Sequence, residues 1–213
     1  MKSRHLFAIA LLAAVGLASA GALIAQDEEA ASEEIKITEA MKCPVSGQPV
    51  KAEHKVAYKG KDVFFCCPNC PAAFKADTEK FAAKTNLQLA QTKQIAQVAC
   101  PLTGRDINPE ATVEISAATI AFCCENCQGK VAKAEPPEQI TLVFADISKG
   151  YTLQTKCPVS GKPIKAEHVV SHNDSKVYFC CPNCPAAFEA NPEKFAANIA
   201  AQKGETAEQK PEE

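Results

Sequence analysis

Apolar and polar positions follow one order three times along this chain, and the copies start 57 residues apart. In the first copy Ile35-Lys36-Ile37-Thr38 alternates, which predicts a short strand. Cys43-Pro44-Val45-Ser46-Gly47 reads as a tight turn, with Gly47 supplying the unusual backbone angle. Val50–His54 and Val56–Tyr58 predict extended chain, Lys59-Gly60-Lys61-Asp62 turns it, and Val63-Phe64-Phe65 returns as the second arm of a hairpin. Pro68 disfavours a helical Cys67, so a helix is expected to start just after it, with Pro68 or Pro71 in its first turn. Asp77–Lys84 predicts a second helical stretch. Phe74 and Phe81, seven apart, fall on one face and are core candidates.

The third copy is nearly the same text: over 41 aligned positions from Cys43 and Cys157, 28 residues are identical. Asn191-Pro192 is a better helix start than Asp77-Thr78. The middle copy drifts. Glu125 stands where the others have proline, a predicted helix over 128–134 is cut by Pro136-Pro137, and Gln139–Phe144 reads as a strand. The resulting division is 35–91, 92–149 and 150–200, an α+β chain of three small hairpin-plus-helix units in tandem.

The two ends differ in character. Residues 1–20 predict a secretory leader: a basic start at Lys2, Arg4 and His5, an apolar run of 13 residues from Leu6 to Ala18, and a small-residue cleavage site at Ala18-Ser19-Ala20. Thirteen helical residues at about 1.5 Å each fall short of a hydrocarbon core of about 30 Å. The expected product is periplasmic or secreted, with no membrane span in the mature chain. Residues 21–34 and 201–213 are rich in Ala, Glu and Gln and read as a flexible spacer and a disordered tail.

Composition sharpens the picture in one respect. A unit of about 50 residues buries only about 60% of its unfolded surface. Aromatics are scarce here, with 10 Phe, 3 Tyr and no Trp. Folds this small usually need disulfides or a metal. Charge points to no partner: 23 basic residues face 25 acidic ones, for a net of −2, and no basic stripe argues for nucleic acid.

The 12 cysteines supply the candidate chemistry. Each unit has one lone cysteine (Cys43, Cys100, Cys157) and, 23 positions on, a cluster: Cys66, Cys67 and Cys70; Cys123, Cys124 and Cys127; Cys180, Cys181 and Cys184. Thiolates are soft ligands suited to Zn²⁺ or Cu(I). Four of them make a tetrahedral Cys₄ site, about one ion per unit. A helix N-terminus would favour thiolate at Cys70, Cys127 and Cys184. Neighbouring side chains on a strand point to opposite faces, so Cys66 and Cys67 can share an ion only if the chain bends between them. Cys43, Cys66 and Cys70 form the core set, with Cys67 as fourth ligand; a three-sulfur site would also suit Cu(I).

Two alternatives use the same atoms. Disulfides fit an exported chain with an even cysteine count, and four cysteines allow three pairings per unit. Cys67-Pro68-Asn69-Cys70 is formally a redox Cys-x-x-Cys, but it lacks the βαβ setting of thioredoxin-like proteins.

Cys-Pro-Val-Ser-Gly, a hairpin, Val-Phe-Phe-Cys-Cys-Pro-Asn-Cys and Ala-Phe-Lys-Ala-Asp-Thr-Glu-Lys-Phe together resemble the YHS domain and the related TRASH domain. The resemblance implies a treble-clef-like, zinc-ribbon-related fold and a link to heavy-metal sensing, trafficking or resistance. Its ligand pattern, a cysteine followed after about twenty residues by Cys-x-x-x-Cys, falls on Cys43, Cys66 and Cys70 and on their equivalents in the other units. Many relatives carry a cysteine where this chain has Ser46, Thr103 and Ser160, whereas Cys67, Cys124 and Cys181 are additional.

Other polar residues read as structural. His54 and His168 match between units one and three, and Glu53, Glu110 and Glu167 match in all three; none is paired with a nucleophile, and a surface role on the hairpin is expected. Asn69, Asn126 and Asn183 are expected to satisfy backbone groups at the helix start. No phosphate loop, hydrolase elbow or His-Glu-x-x-His motif occurs. The expectation is an exported, non-enzymatic protein that binds, buffers or hands on metal ions. Its partners would be the ions and a second metal-handling protein. The competing expectation is a disulfide-stapled structural or interaction module.

Overall fold

A computed structural model describes residues 35–203; the leader and spacer expectations and the tail from 204 on lie outside these residues, whereas 201–203, expected in the disordered tail, are the end of a helix. The fold is α+β. Unit one contains β1 (Lys51–Tyr58), β2 (Lys61–Phe65), α1 (Cys70–Ala76) and α2 (Ala82–Gln91). After β3 (Ala96–Gln97), unit two contains β4 (Asn108–Ile115), β5 (Ala118–Phe122), α3 (Glu125–Ala132) and α4 (Pro136–Phe144). After β6 (Tyr151–Thr152), unit three contains β7 (Lys165–His172), β8 (Ser175–Phe179), α5 (Asn183–Ala190) and α6 (Glu193–Lys203). Among the described residues no helix is long and apolar enough to cross a membrane.

Each unit is built on one antiparallel hairpin with a two-residue turn. Both turn residues have positive φ in every copy: Lys59-Gly60, Ser116-Ala117 and Asn173-Asp174. That is the type I′ geometry, whose twist matches paired strands. Each hairpin also has a register shift at the same place, between Lys51 and Lys55, Asn108 and Thr112, and Lys165 and Val169. Such bulges bend the strand and increase its twist.

Three sequence expectations are corrected. Ile35–Thr38 forms no strand; it leads into a turn in which Met41 N–H donates to the Thr38 carbonyl at 3.0 Å. Alternation alone makes no strand, and this segment is absent from every strand pair of the described residues. Asp77 ends α1 instead of starting a helix, its carboxylate accepting from Lys80 N–H at 3.1 Å, and α2 begins only at Ala82. Gln139–Phe144 is helical, within α4. Pro136 and Pro137 open that helix, where a missing N–H costs nothing. The apolar residues that mimicked a strand are Ile140, Val143 and Phe144, at i, i+3 and i+4, and they face the core.

These corrections have one consequence for packing. α2 lies against both β2 of its own unit and α4 of the next. Thr85 through Leu89 are all buried, so the middle of the helix is covered on every side. Units one and two therefore share a single hydrophobic core, running from Phe65 and Phe74 through Leu87 and Leu89 to Phe122, Val143 and Phe144. Phe81 packs at its margin. Unit three has its own core of Val177, Phe179 and Phe188 with Cys157 and Cys184. Its α6, the counterpart of α2, buries no residue completely.

Candidate metal centre

The lone cysteine sits in the same turn in all three units. Cys43 N–H donates to the Gln48 carbonyl at 2.7 Å and Gly47 N–H returns to the Cys43 carbonyl at 2.8 Å. Cys100 with Arg105 and Gly104, and Cys157 with Lys162 and Gly161, repeat both bonds. The glycines have φ of +74°, +70° and +71°, a region that penalises any Cβ. The turn closes tightly and points the cysteine inward; Cys43 and Cys100 are fully buried and Cys157 nearly so.

The cluster cysteines come from the end of the hairpin. Strand β2 stops at Phe65, and residues 66–69 bend and turn before α1 starts at Cys70. The bend required for adjacent cysteines to face one centre is present. Asn69 is the N-cap residue of α1 but makes no side-chain cap bond, so its expected role there is not met. In unit two α3 starts at Glu125, because the residue standing where the others have proline can enter the helix.

The sulfur atoms converge. Sγ atoms of Cys43, Cys66 and Cys70 lie within 4.8 Å of one another, as do those of Cys100, Cys123 and Cys127 and of Cys157, Cys180 and Cys184. Individual separations are 3.6 Å for Cys66–Cys70 and 3.7 Å for both Cys123–Cys127 and Cys180–Cys184. The fourth cysteine adjoins each group: Cys67 and Cys181 lie 3.4 Å from Cys70 and Cys184, and Cys124 lies 3.7 Å from Cys123. Metal–sulfur bonds of about 2.3 Å at tetrahedral angles place sulfurs about 3.8 Å apart. The observed spacings are near that edge length. They are far above a disulfide bond of about 2.05 Å, and all 12 cysteines are free thiols.

Burial divides each group into floor and mouth, although in unit two only Cys100 is buried and Cys123, Cys124 and Cys127 are all half-buried. Cys43, Cys70, Cys157 and Cys184 are buried, whereas Cys66, Cys67, Cys180 and Cys181 are half-buried. A hydroxyl stands at the mouth in every unit. Ser46 Oγ lies 3.1 Å from Cys66 Sγ, Thr103 Oγ1 3.3 Å from Cys123 Sγ, and Ser160 Oγ 3.1 Å from Cys180 Sγ. These hydroxyls occupy the positions where the resemblance would have placed a cysteine. Their contact with sulfur was not foreseen, although their recurrence at the repeat interval was visible.

Electrostatics also separates the thiols. Burial pushes the Cys43 thiol up, but the Ser46 hydroxyl and the backbone N–H groups of Ser46, Cys66 and Val45 outweigh it and leave the pKa at about 7. Cys157 reaches about 7 in the same way, burial being outweighed by Ser160, Cys180 and Val159. Hydrogen bonds from Cys70 and from backbone N–H groups hold Cys67 below the ordinary thiol value. The helix-start cysteines go the other way. Burial, then the neighbouring thiols, pushes Cys70 and Cys184 well above the ordinary range and Cys127 up to about 12. The expected help from the helix N-terminus is thus outweighed without an ion, because desolvation opposes charge on a buried sulfur.

The histidines stay out of the groups. His54 Nε2 lies 3.4 Å from Glu53 and His168 Nε2 3.3 Å from Glu167, both on the bulged strand of their hairpins. The soft, converging, all-sulfur donor sets suit metal-ion binding.

Comparison with known proteins agrees with this geometry. Residues 41–85 match the YHS domain family, a span that holds Cys43, Cys66, Cys67 and Cys70 and ends inside α2. No curated protein and no solved structure matches the chain.

Proposed function

We propose that the YHS-type unit and its two successors each hold one soft metal ion, Zn²⁺ or Cu(I), and that the protein binds, buffers or hands on these ions outside the cytoplasm. The observation carrying this reading is the arrival of a buried lone cysteine, 23 positions upstream, within 4.8 Å of two cluster thiols in three copies. Cys67, Cys124 and Cys181 act as fourth ligands. The export arm rests on the leader-like residues 1–20. The non-enzymatic arm rests on the soft, converging sulfur donor sets, whose chemistry suits ion binding. A second metal-handling protein would receive the ions at the half-buried mouth thiols.

The test is native mass spectrometry of the exported protein, with and without a chelator, beside a free-thiol count. Three ions per chain, lost to chelator, support the reading. Six disulfides and no metal would establish the stapled module instead. Sequencing the N-terminus of the exported product checks the expected cut after Ala20.

A further inference from the structure

Cys67 and Cys70 are spaced for a second chemistry that metal binding does not use. They are joined by Pro68-Asn69, their sulfurs lie 3.4 Å apart, the first is half-buried and the second buried. Cys181, Pro182-Asn183 and Cys184 repeat every one of these features, including the 3.4 Å separation. Both are shorter than the 3.6 Å and 3.7 Å separations of Cys66–Cys70 and Cys180–Cys184. In unit two Cys124 divides its contacts between its neighbour Cys123, at 3.7 Å, and Cys127. Adjacent residues have Cα atoms only about 3.8 Å apart, below the range of about 4.4–6.8 Å that disulfides prefer.

We infer that Cys67–Cys70 and Cys181–Cys184 are oxidation sites whose disulfides eject the ions of units one and three. The inference rests on the metal-binding reading above. The oxidant is a disulfide, the class of reagent that an oxidising compartment supplies. The half-buried Cys67 sulfur, the more accessible of the pair, attacks one sulfur of that disulfide, forming a mixed disulfide and releasing one thiol. The Cys70 sulfur then attacks Cys67 Sγ and releases the second thiol. One S–S bond breaks and one forms; two electrons pass from the cysteine pair to the oxidant. The two released thiols take up protons, from the cysteines when the site is empty and from solvent when the sulfurs were metal-bound. The ion itself is neither oxidised nor reduced. Only Cys43 and Cys66 then remain as thiols in unit one, and Cys157 and Cys180 in unit three, too few for a four-sulfur or three-sulfur site.

The experiment titrates the metal-loaded full chain with a small disulfide, maps linked peptides by mass spectrometry and counts bound ions at each step. The expected result is Cys67–Cys70 and Cys181–Cys184 linkages appearing together with loss of two ions per chain, and recovery of both ions after a dithiol reductant. Oxidation that links Cys43 to Cys66 instead, or linkages that form with every ion retained, would overturn the proposal. A reduced protein that binds no ion at all would refute the metal-binding reading. The linkage map would still decide whether these pairs are the oxidation sites.

Discussion

Gln88 pairs with the backbone of Phe64 as a strand residue would. Its Oε1 accepts from Phe64 N–H at 2.7 Å, and its Nε2 donates to the Phe64 carbonyl at 3.0 Å and to the Lys42 carbonyl at 3.2 Å. The same hairpin position is clamped in the other units by a different residue. Gln97 holds Ala121 at 3.0 and 2.6 Å, and Gln154 holds Tyr178 at 3.0 and 2.6 Å. Both stand three residues before the lone cysteine, where unit one has Ala40. Unit one thus takes its clamp from α2, the helix that also joins it to unit two. The clamp caps the free edge of the strand that leads into the cysteines, and so fixes where they emerge.

Removing that clamp leaves buried backbone groups without partners, at about 1–3 kcal/mol each. Gln88→Ala is expected to lower unfolding stability by about 3 kcal/mol in denaturant titration. An unchanged midpoint would show that the edge needs no clamp.

The shared core predicts unequal effects of losing a site. Cys157→Ser should cost one bound ion and leave the unfolding transition of units one and two in place, since unit three has a separate core. Cys43→Ser should also cost one ion, but should lower the transition of units one and two together. Native mass spectrometry and calorimetry on the two variants read both effects.

The hydroxyl at each mouth should tune the metal. Ser46→Ala and Ser160→Ala remove the 3.1 Å contacts to Cys66 and Cys180. Outer groups of this kind change affinity by about 10–100-fold. A loss of about tenfold at the altered site, measured by chelator competition, is the expected outcome.

Acidity should weaken binding, with a defined sign. Cys43 and Cys157 have pKa values of about 7, below the ordinary thiol value of 9.0, so they are thiolates above that pH and reprotonate as pH falls through it. Their lowered values stabilise the metal-free fold fully above the unfolded pKa, and that contribution is lost as pH falls through about 7. Cys70 and Cys184 keep their protons at neutral pH until an ion displaces them. Metal loading at pH 7 should therefore release protons, measurable by calorimetry in buffers of different ionisation enthalpy. Affinity should fall most steeply below pH 7.

The joint between units two and three predicts a further effect. A Cβ on Gly150 would lie 2.6 Å from Pro101 Cα and 2.9 Å from Pro101 N, both backbone atoms that cannot step aside. The Gly150 carbonyl also accepts from Val98 and Ala99 N–H at 2.9 and 3.1 Å, beside the β3–β6 pair. Gly150→Ala should force the two segments apart and lower the melting temperature by several degrees.

The sequence by itself determined the local parts. Hairpins, turns and the spacing of the sulfurs were legible because strand alternation, glycine and proline act over a few residues. The 57-residue repeat triplicated the cysteine spacing and the turn before it. Convergence of Cys43 with Cys66 and Cys70 could be expected from spacing, but it became a geometry only in the folded chain. Tertiary structure alone decided that Gln139–Phe144 is helix, since a short apolar run takes the form its neighbours can bury, and here α2 offers a helical partner. It also decided that units one and two close over one core while unit three keeps its own. The physical reason is that Leu87, Leu89, Val143 and Phe144 find partners only across a unit boundary, and no local pattern encodes which surface will be there to meet them.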